Sequence, residues 1–205
     1  MRDLNWNQSN TVVVSGIGCS GRASGYFNTD AIHTTHGRAL PVAEGIKLAN
    51  EKTNVLVISG DGDLLSIGGN HLIHTARRNS NLTVICNRND VYGMTGGQLA
   101  PTTSADEPTK TTPHGSGIEP LSVESIITGY KKHFYAKTSV VDVKHLRDSI
   151  FAALTWDGFA FVEVLSICPT QRGSNLGLSP AELNDFLKKQ IDRDPDMKLK
   201  IRYNS

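Results

Sequence analysis

A carboxylate and a carboxamide follow two consecutive apolar runs in this chain. The first run leads into Gly60-Asp61-Gly62-Asp63, and the second leads to Asn89-Asp90-Val91. Twenty-six residues separate Gly62 from Asn89, which leaves room for one helix and one returning strand. Asp61 can supply a charged oxygen, Asn89 a neutral side-chain oxygen and Val91 a backbone carbonyl, and Mg²⁺ prefers such oxygen ligands. The pattern predicts a divalent cation that carries a diphosphate at one edge of a parallel sheet.

The same residues have a plainer interpretation. Gly-Asp-Gly alone is typical of an ordinary turn, because turns favour glycine and aspartate. Here the tripeptide follows an apolar run, and the second half of the motif stands at the distance of the next strand end. The combination favours the cation site over the turn.

Residues 16–21 match the G-x-G-x-x-G pattern directly after the apolar run 11–15. That pattern binds dinucleotides when a helix opens at the last glycine and an acidic residue ends the next strand, about 20 positions on. Residues 22–38 contain Gly25, Asn28 and Gly37, which disfavour a helix, and no acidic-ended strand follows at that distance. The context argues against a nicotinamide dinucleotide, while the glycines remain able to approach a phosphate.

The elements that position these residues follow from the hydrophobic periodicity. Apolar and β-branched runs predict strands at 11–15, 55–58, 82–86, 134–141 and 159–165. Spacing and capping signals predict helices at 41–52 and 66–78, and from Ser122, Asp142 and Ser179 onward. Alternating strands and helices indicate an α/β fold with a mostly parallel sheet, in a single domain spanning residues 1–205.

Three segments lack a helix or strand signal. Residues 16–38 are predicted to form a loop rich in glycine, serine and threonine. Residues from about 87 to 120 form an unusually long irregular stretch, and loops of that length are commonly functional. In the C-terminal segment 179–205, the charged tail is predicted to continue from an exposed helix into a frayed terminus.

Composition excludes several classes of partner. The chain carries 21 Lys and Arg against 20 Asp and Glu, and no basic stripe interleaved with aromatics, so a nucleic-acid partner is not expected. No apolar run approaches the roughly 20 residues that cross a bilayer, and residues 1–10 lack signal-peptide features. We therefore expect a cytoplasmic protein with no membrane partner. Three scattered cysteines do not make a disulfide framework, and Cys86 is predicted to lie in the core.

Several motifs together resemble one family, in order and in spacing, over nearly the whole chain. The family is the thiamine-diphosphate-binding β subunit of 2-oxoacid:ferredoxin oxidoreductases, and the 2-oxoglutarate type is the most similar. The motifs are Gly-Ile-Gly-Cys-Ser-Gly at 16–21, His36-Gly37-Arg38-Ala39, Gly60-Asp61-Gly62-Asp63, Gly68-Gly69-Asn70-His71, Tyr92-Gly93-Met94-Thr95-Gly96-Gly97-Gln98 and Ser166-Ile167-Cys168-Pro169-Thr170-Gln171.

The resemblance implies a set of cofactor contacts. It implies that Mg²⁺ is held by Asp61, Asn89 and the carbonyl of Val91. The activating glutamate is expected on a partner α subunit, so the catalytic residue of this chain is unknown, with His36 as a candidate. The residues expected to contact thiamine diphosphate are Ile17, Gly18, Cys19, Ser20, His36, Gly62, Asp63, Gly93 and Met94.

The resemblance also implies a reaction and its partners. The reaction is the coenzyme A-dependent oxidative decarboxylation of a 2-oxoacid, with 2-oxoglutarate as the expected substrate. Electrons would pass through iron–sulfur clusters to ferredoxin. The protein would supply binding and electrostatics, while the cofactor carries the chemistry.

One part of the family pattern is incomplete. Many members hold a [4Fe-4S] cluster on four cysteines, and the resemblance matches Cys19 and Cys168 to two of them. The amino-terminal Cys-x-x-Cys pair is absent, and four thiolates usually hold such a cluster. We therefore expect no intact cluster in the chain as given. A missing amino-terminal segment is the favoured explanation, and loss of the cluster is the alternative.

Two other functions stay open. The first is another thiamine-dependent decarboxylase or synthase; such enzymes commonly continue the motif with Asn-Asn and carry both cofactor-binding halves on a longer chain. The stretch 92–98 and the length of 205 residues argue against that class. The second is a non-catalytic fragment that binds only its partner subunit, an alternative that the missing cysteine pair leaves open.

Overall fold

A single sheet organises residues 2–204, the part of the chain that the computed structural model describes. Within it seven strands stand in the order β2-β1-β3-β4-β6-β5-β7. All neighbouring strands are parallel except β5 and β7, which are antiparallel. The predicted α/β fold with a mostly parallel sheet is therefore confirmed. The strands are β1 Thr11–Ser15, β2 Asp30–His33, β3 Asn54–Gly60, β4 Thr83–Arg88, β5 His133–Ser139, β6 Ala160–Leu165 and β7 Lys200–Asn204.

Helices connect the strands, and the predicted caps start three of them. The side chains of Ser122, Asp142 and Ser179 each accept a hydrogen bond from a backbone N–H three residues on. Short 3₁₀ turns lie at Arg2–Leu4, Ser20–Tyr26 and Pro195–Met197, and a π-helical turn lies at Gly62–Ile67. The α-helices are α1 Ala39–Ala49, α2 Gly69–Arg78, α3 Val123–Thr128, α4 Val143–Leu154, α5 Arg172–Leu176 and α6 Pro180–Arg193.

Two strands correct the predictions from sequence. Residues 16–38 were predicted as a loop, yet β2 pairs with β1 from Val12–Asp30 to Ser15–His33. The tail was predicted to fray, yet β7 pairs with β5 from His133–Asn204 to Lys137–Lys200. All four residues of β2 are exposed, as are four of the five in β7. Both are edge strands held by backbone pairing, so neither needs the apolar run that marks a buried strand.

One helix start differs from its prediction, and the long irregular stretch agrees with its prediction. The helix predicted from residue 66 begins at Gly69, because the π-helical turn Gly62–Ile67 precedes it. The long irregular stretch is confirmed: in the described chain, residues 89–122 contain neither helix nor strand. Parts of this stretch are nevertheless buried, including Thr102, Thr103 and Glu107.

Apolar side chains fill both faces of the sheet. On one face Val57 and Phe161 of the strands pack with Leu40 of α1, Leu72 of α2 and Ile127 of α3. On the other face, Val162 and Phe134 pack with Ala153 of α4, joined by partly buried Ile150 and Trp156. Phe161 and Val162 are adjacent in β6 and belong to opposite faces, as the pleat of a strand requires. Both faces of β6 are thus covered.

The strand order creates a switch point between β1 and β3. From β1 the chain crosses to β2 on one side and then to β3 on the other. The loops after β1 and β3 therefore separate and leave a crevice at the carboxyl ends, where open α/β sheets bind ligands. Gly60 pairs with Asn87, so β3 and β4 end at the same level and bring Asp61 beside Asn89. Within residues 2–204, no helix combines the length and apolar character needed to span a bilayer.

Candidate cofactor and cation site

A cleft of about 140 Å³ lies at the switch point. Its walls are the loops after β1, β3 and β4, with one residue from the segment after β2. The structure brings together here all twelve residues expected to contact the cofactor or Mg²⁺. Gly60, Tyr92 and Thr95 also line the cleft. The twelve are Ile17, Gly18, Cys19, Ser20, His36, Asp61, Gly62, Asp63, Asn89, Val91, Gly93 and Met94.

Asp61 is a buried carboxylate at the floor of the cleft, 2% exposed. Its Oδ2 accepts from Asn89 N at 3.2 Å, Asp90 N at 2.8 Å and Thr102 Oγ1 at 2.8 Å. Its Oδ1 accepts from Gly62 N at 2.9 Å. Burial, and then the charge of Asp90, raise the pKa of Asp61 to about 6. A bound cation would reverse that unfavourable environment, so the buried carboxylate suits a metal ligand.

The turn after β4 presents the two other predicted cation ligands. The Val91 N–H donates to Asn89 Oδ1 at 3.3 Å, so the Asn89 side chain is held within its own turn. Between them Asp90 has a left-handed backbone with φ +60°. Carboxylate, carboxamide and carbonyl oxygens are a donor set that fits Mg²⁺. The residues present therefore fit the implied cation, and their role as ligands stays a prediction.

Asp63 joins the walls of the cleft. Its Oδ1 accepts from Ile17 N at 3.0 Å, Gly37 N at 2.7 Å and His36 Nδ1 at 2.6 Å. Its Oδ2 accepts from Ser59 Oγ at 2.9 Å. These partners come from β3 and from the segments that follow β1 and β2, so one carboxylate ties three parts of the chain together. The predicted contact of Asp63 with thiamine diphosphate stays a prediction beside this positioning role.

His36 is oriented by Asp63 and lies against Tyr92. Because the Asp63 oxygen accepts from two backbone N–H groups as well, His36 Nδ1 carries the hydrogen that it donates to Asp63, which leaves Nε2 as the other ring nitrogen for a ligand. The His36 and Tyr92 rings meet edge to face with centroids 6.2 Å apart. The arrangement fits a binding or proton-handling group at the cleft, as predicted for His36 from the resemblance.

Tyr92 is a site residue that the sequence analysis did not single out. Its hydroxyl donates to Gly62 O at 3.1 Å, so it bridges the loops after β3 and β4. A Cβ at Gly62 would lie 2.4 Å from the Tyr92 ring, which explains the glycine at this position. The signal was the tyrosine inside the 92–98 motif, but its partner is 30 residues away in sequence.

Behind the cleft lies a buried ion network that the sequence analysis missed. Arg88 donates to Asp90 at 2.6 Å and to Glu163 at 2.8 Å. Arg172 donates to Asp90 at 2.8 Å and to Glu107 at 2.7 Å. Lys137 approaches Glu163 at 3.8 Å, which brings three cations and three carboxylates together. The available signal was a charge inside each of two apolar strand predictions, Lys137 and Glu163.

The three cysteines have different environments. Cys86 is fully buried in β4, where burial raises the pKa of its thiol, so its predicted core position is confirmed. Cys19 is exposed at the cleft, and Cys168 is buried beside Gly93, whose added Cβ would lie 3.1 Å from Sγ. Across residues 2–204 no three His, Cys, Asp or Glu side chains are grouped to hold a metal. A four-thiolate cluster does not fit these two thiols alone, and their role as ligands stays a prediction.

Comparison with known proteins assigns the class. Residues 16–164 match the family model of the C-terminal TPP-binding domain of thiamine pyrophosphate enzymes. The chain is therefore a member of the thiamine pyrophosphate enzymes and carries their cofactor-binding domain.

Individual relatives narrow the family. The chain is 43% identical over 194 residues to 2-oxoglutarate synthase subunit KorB of Archaeoglobus fulgidus, across 95% of this chain and 71% of that protein. It is 38% identical to the 2-oxoacid:ferredoxin oxidoreductase subunit beta of a Sulfolobus species, across 93% and 70%. A solved 2-oxoglutarate:ferredoxin oxidoreductase from Magnetococcus marinus superposes with a TM-score of 0.86 at 29% identity, across 99% and 74%. Within the thiamine pyrophosphate enzymes, the chain belongs to the β subunits of 2-oxoacid:ferredoxin oxidoreductases.

Proposed function

We propose that this chain binds Mg²⁺ and thiamine diphosphate as the β subunit of a 2-oxoglutarate:ferredoxin oxidoreductase. With an α subunit it would catalyse the coenzyme A-dependent oxidative decarboxylation of 2-oxoglutarate and pass electrons to ferredoxin. The names of its relatives support this substrate and acceptor. The solved relative has 2-oxoglutarate, coenzyme A and succinyl-CoA bound, which supports the same reaction.

One observation carries the proposal: a buried carboxylate faces a glycine-lined cleft at the switch point. Asp61 is held by four hydrogen bonds, and its raised pKa marks it as a group that a cation would stabilise. Gly62 and Gly93 line the same cleft and let the backbone approach a diphosphate. A plain turn would need neither the buried carboxylate nor the cleft around it.

The residues of the chain would divide the work of binding and orientation. Asp61, Asn89 and the Val91 carbonyl would hold Mg²⁺, and the cation would neutralise the diphosphate. When bound, thiamine diphosphate supplies the nucleophilic carbon and the electron sink for decarboxylation. Asp63 would keep His36 in one tautomer at the cleft, through its 2.6 Å contact with Nδ1. As the family resemblance implies, the activating glutamate would come from the α subunit.

Of the two alternative functions, one is disfavoured and the other stays open. Another thiamine-dependent decarboxylase or synthase is disfavoured, because the relatives that match over most of this chain are 2-oxoacid oxidoreductase subunits. A non-catalytic fragment would still fold and bind its partner subunit. Cofactor binding therefore distinguishes the fragment from the proposed enzyme.

The test is a calorimetric titration of thiamine diphosphate into the protein with and without Mg²⁺, alone and with the α subunit. We expect Mg²⁺-dependent binding that Asp61→Ala weakens by at least about 100-fold, because even residues that only support metal ligands contribute about 10- to 100-fold. Asp106→Ala, which removes an exposed carboxylate of the irregular stretch outside the cleft, should bind as the wild type does.

Two results would contradict the proposal. Binding that Asp61→Ala leaves unchanged would place the cation elsewhere. Absence of binding even with the α subunit would favour the non-catalytic fragment.

A further inference from the structure

Asp90 holds an unfavourable backbone conformation beside the cation site. Its φ of +60° lies in the left-handed region, which residues with a Cβ seldom adopt. In this conformation the Asn89 and Asp90 N–H groups both donate to Asp61 Oδ2, at 3.2 and 2.8 Å. The same turn leads from Asn89 to Val91, the two other proposed oxygen ligands. The geometry of the cation site therefore depends on keeping Asp90 in this conformation.

The Asp90 carboxylate is held from two sides by guanidinium groups. Arg88 Nε donates to Oδ1 at 2.6 Å, and Arg172 Nη1 donates to Oδ2 at 2.8 Å. The remaining face of the Arg172 guanidinium donates to Glu107, from Nε at 2.7 Å and from Nη2 at 2.8 Å. Burial by itself would raise the pKa of Asp90, but Arg88 and Arg172 outweigh it and hold that pKa below its ordinary value.

Arg172 reaches Asp90 from a distant part of the chain. It opens α5, is 2% exposed and stands 82 residues after Asp90. Arg172, Asp90 and Glu107 do not line the cleft, so Arg172 acts on the cation indirectly, and Asp90 is the contact that lies between the two proposed ligands Asn89 and Val91. Its helix is tied to the preceding loop, where Gly173 N donates to Cys168 O at 2.9 Å.

We propose that Arg172 is a positioning residue for the cation site. Its guanidinium is held by Glu107 and in turn fixes the Asp90 carboxylate. The Asn89 and Asp90 N–H groups therefore stay directed at Asp61. This inference rests on the proposed binding of Mg²⁺ and thiamine diphosphate. It adds a role for the segment that follows Cys168, which the cofactor contacts expected from sequence do not include.

The expected effect is a loss of cation affinity without loss of the fold. Lysine keeps the charge at position 172 but lacks the planar fork that serves Asp90 and Glu107 together. Arg172→Lys should weaken cation binding by up to about 10-fold and Arg172→Met by about 10-fold, the lower end of the range for direct partners of metal ligands, because Arg172 lies one residue further from the ligands, behind Asp90. Glu107→Gln replaces the carboxylate that accepts from Arg172 by a neutral amide, which holds the guanidinium less strongly. This variant should lose less cation affinity than the position-172 variants.

The measurement is Mn²⁺ binding to the assembled enzyme at saturating thiamine diphosphate, followed by electron paramagnetic resonance of free Mn²⁺. Mn²⁺ serves because it takes the same oxygen ligands as Mg²⁺. Thr83→Val is the matched control: it removes a buried hydrogen bond to the Ala153 carbonyl and belongs to neither the cleft nor the ion network. This variant should lose thermal stability yet bind Mn²⁺ within about twofold of the wild type, since it leaves the partners of the metal ligands in place.

The outcomes separate this inference from the proposed function. Suppose that Arg172→Lys and Arg172→Met fold and bind Mn²⁺ with wild-type affinity, while Asp61→Ala still abolishes binding. That result would overturn the positioning role. If both position-172 variants failed to fold, wild-type affinity in Glu107→Gln would overturn it. An equal loss of affinity in Thr83→Val would also overturn it, because the effect would then be general destabilisation. No Mn²⁺ binding by the wild type would overturn both proposals.

Discussion

Two aspartates separated by one glycine act on the cleft in different ways. Asp61 accepts three hydrogen bonds on Oδ2 and one on Oδ1, and faces the predicted cation. Asp63 accepts four hydrogen bonds from separate segments and holds the walls together. Residue identity is the same, so the difference comes from the donors around each carboxylate. At the residue scale, the motif Gly60-Asp61-Gly62-Asp63 thus combines a proposed ligand position and a structural position.

The closeness of Gly16 to Asp63 gives a prediction at this scale. A Cβ at Gly16 would lie 1.9 Å from Asp63 Oδ2, and the carboxylate cannot move without breaking its hydrogen bonds. Gly16→Ala should therefore lower the free energy of unfolding by about 1–3 kcal/mol. Urea denaturation measures the change. The control is Gly25→Ala, whose Cβ would meet no atom within 4 Å and should change stability by less than about 0.5 kcal/mol. Equal stability of the two variants would contradict the packing argument.

Helices and turns around the cleft differ in how much added side-chain volume they tolerate. The π-helical turn Gly62–Ile67 is tightly packed, and Gly68 ends it with its N–H bonded to Asp63 O at 3.0 Å. Helix α1 is open on its outer side, where Gly45 is exposed. At the scale of elements, the turn that carries Asp63 therefore tolerates little added volume, while the outer side of α1 tolerates more.

Gly45→Ala should stabilise the protein. Glycine in a helix interior costs about 0.5–1 kcal/mol relative to alanine, and a Cβ here meets no atom within 4 Å. Differential scanning calorimetry should show Tm rising by up to about 4 °C. The matched variant Gly68→Ala should lower Tm, because its Cβ would lie 2.4 Å from Asp63 O. A fall in Tm for Gly45→Ala would mean that the outer side of α1 is covered.

At the scale of the whole molecule, strand order and the buried ion network support the same site. The strand order opens the crevice between β1 and β3. The network joins β4, β6, the irregular stretch and α5 behind that crevice. Charges this deeply buried persist because they are paired, and breaking one pair is expected to be strongly destabilising. The irregular stretch is thus anchored from within, through Glu107.

Thiol labelling reports the state of the whole molecule. In iron-free protein, Cys19 should react fastest because it is exposed, and Cys168 more slowly. Cys86 should react only through unfolding, roughly 10³-fold slower or more, because it lies in the sheet core. Peptide mass spectrometry after labelling distinguishes the three sites. Mg²⁺ with thiamine diphosphate should protect Cys19, which lines the cleft; rapid labelling of Cys86 without denaturant would contradict the core assignment.

Sequence reasoning located the elements that have a buried face. Strand β1 has the predicted bounds, and the four other predicted strands overlap β3, β4, β5 and β6. Strands β2 and β7 were missed, because edge strands need only backbone partners. Asp61, Asn89 and Val91 were expected at the cleft because they follow strand ends, and parallel strands end at one edge. The resemblance to the family supplied the other expected contacts, among them His36.

The sequence by itself determined the fold class, the family motifs and the residues that line the cleft. Each depends on local signals: periodicity, glycine positions and the polar residues after strand ends. The tertiary structure decided the roles within the cleft, such as the bracing of Asp63 and the bridge from Tyr92 to Gly62. It also decided the buried network, where Arg172 meets Asp90 across 82 residues of chain. Such partners are chosen by the packing of distant segments, and no local pattern records that choice.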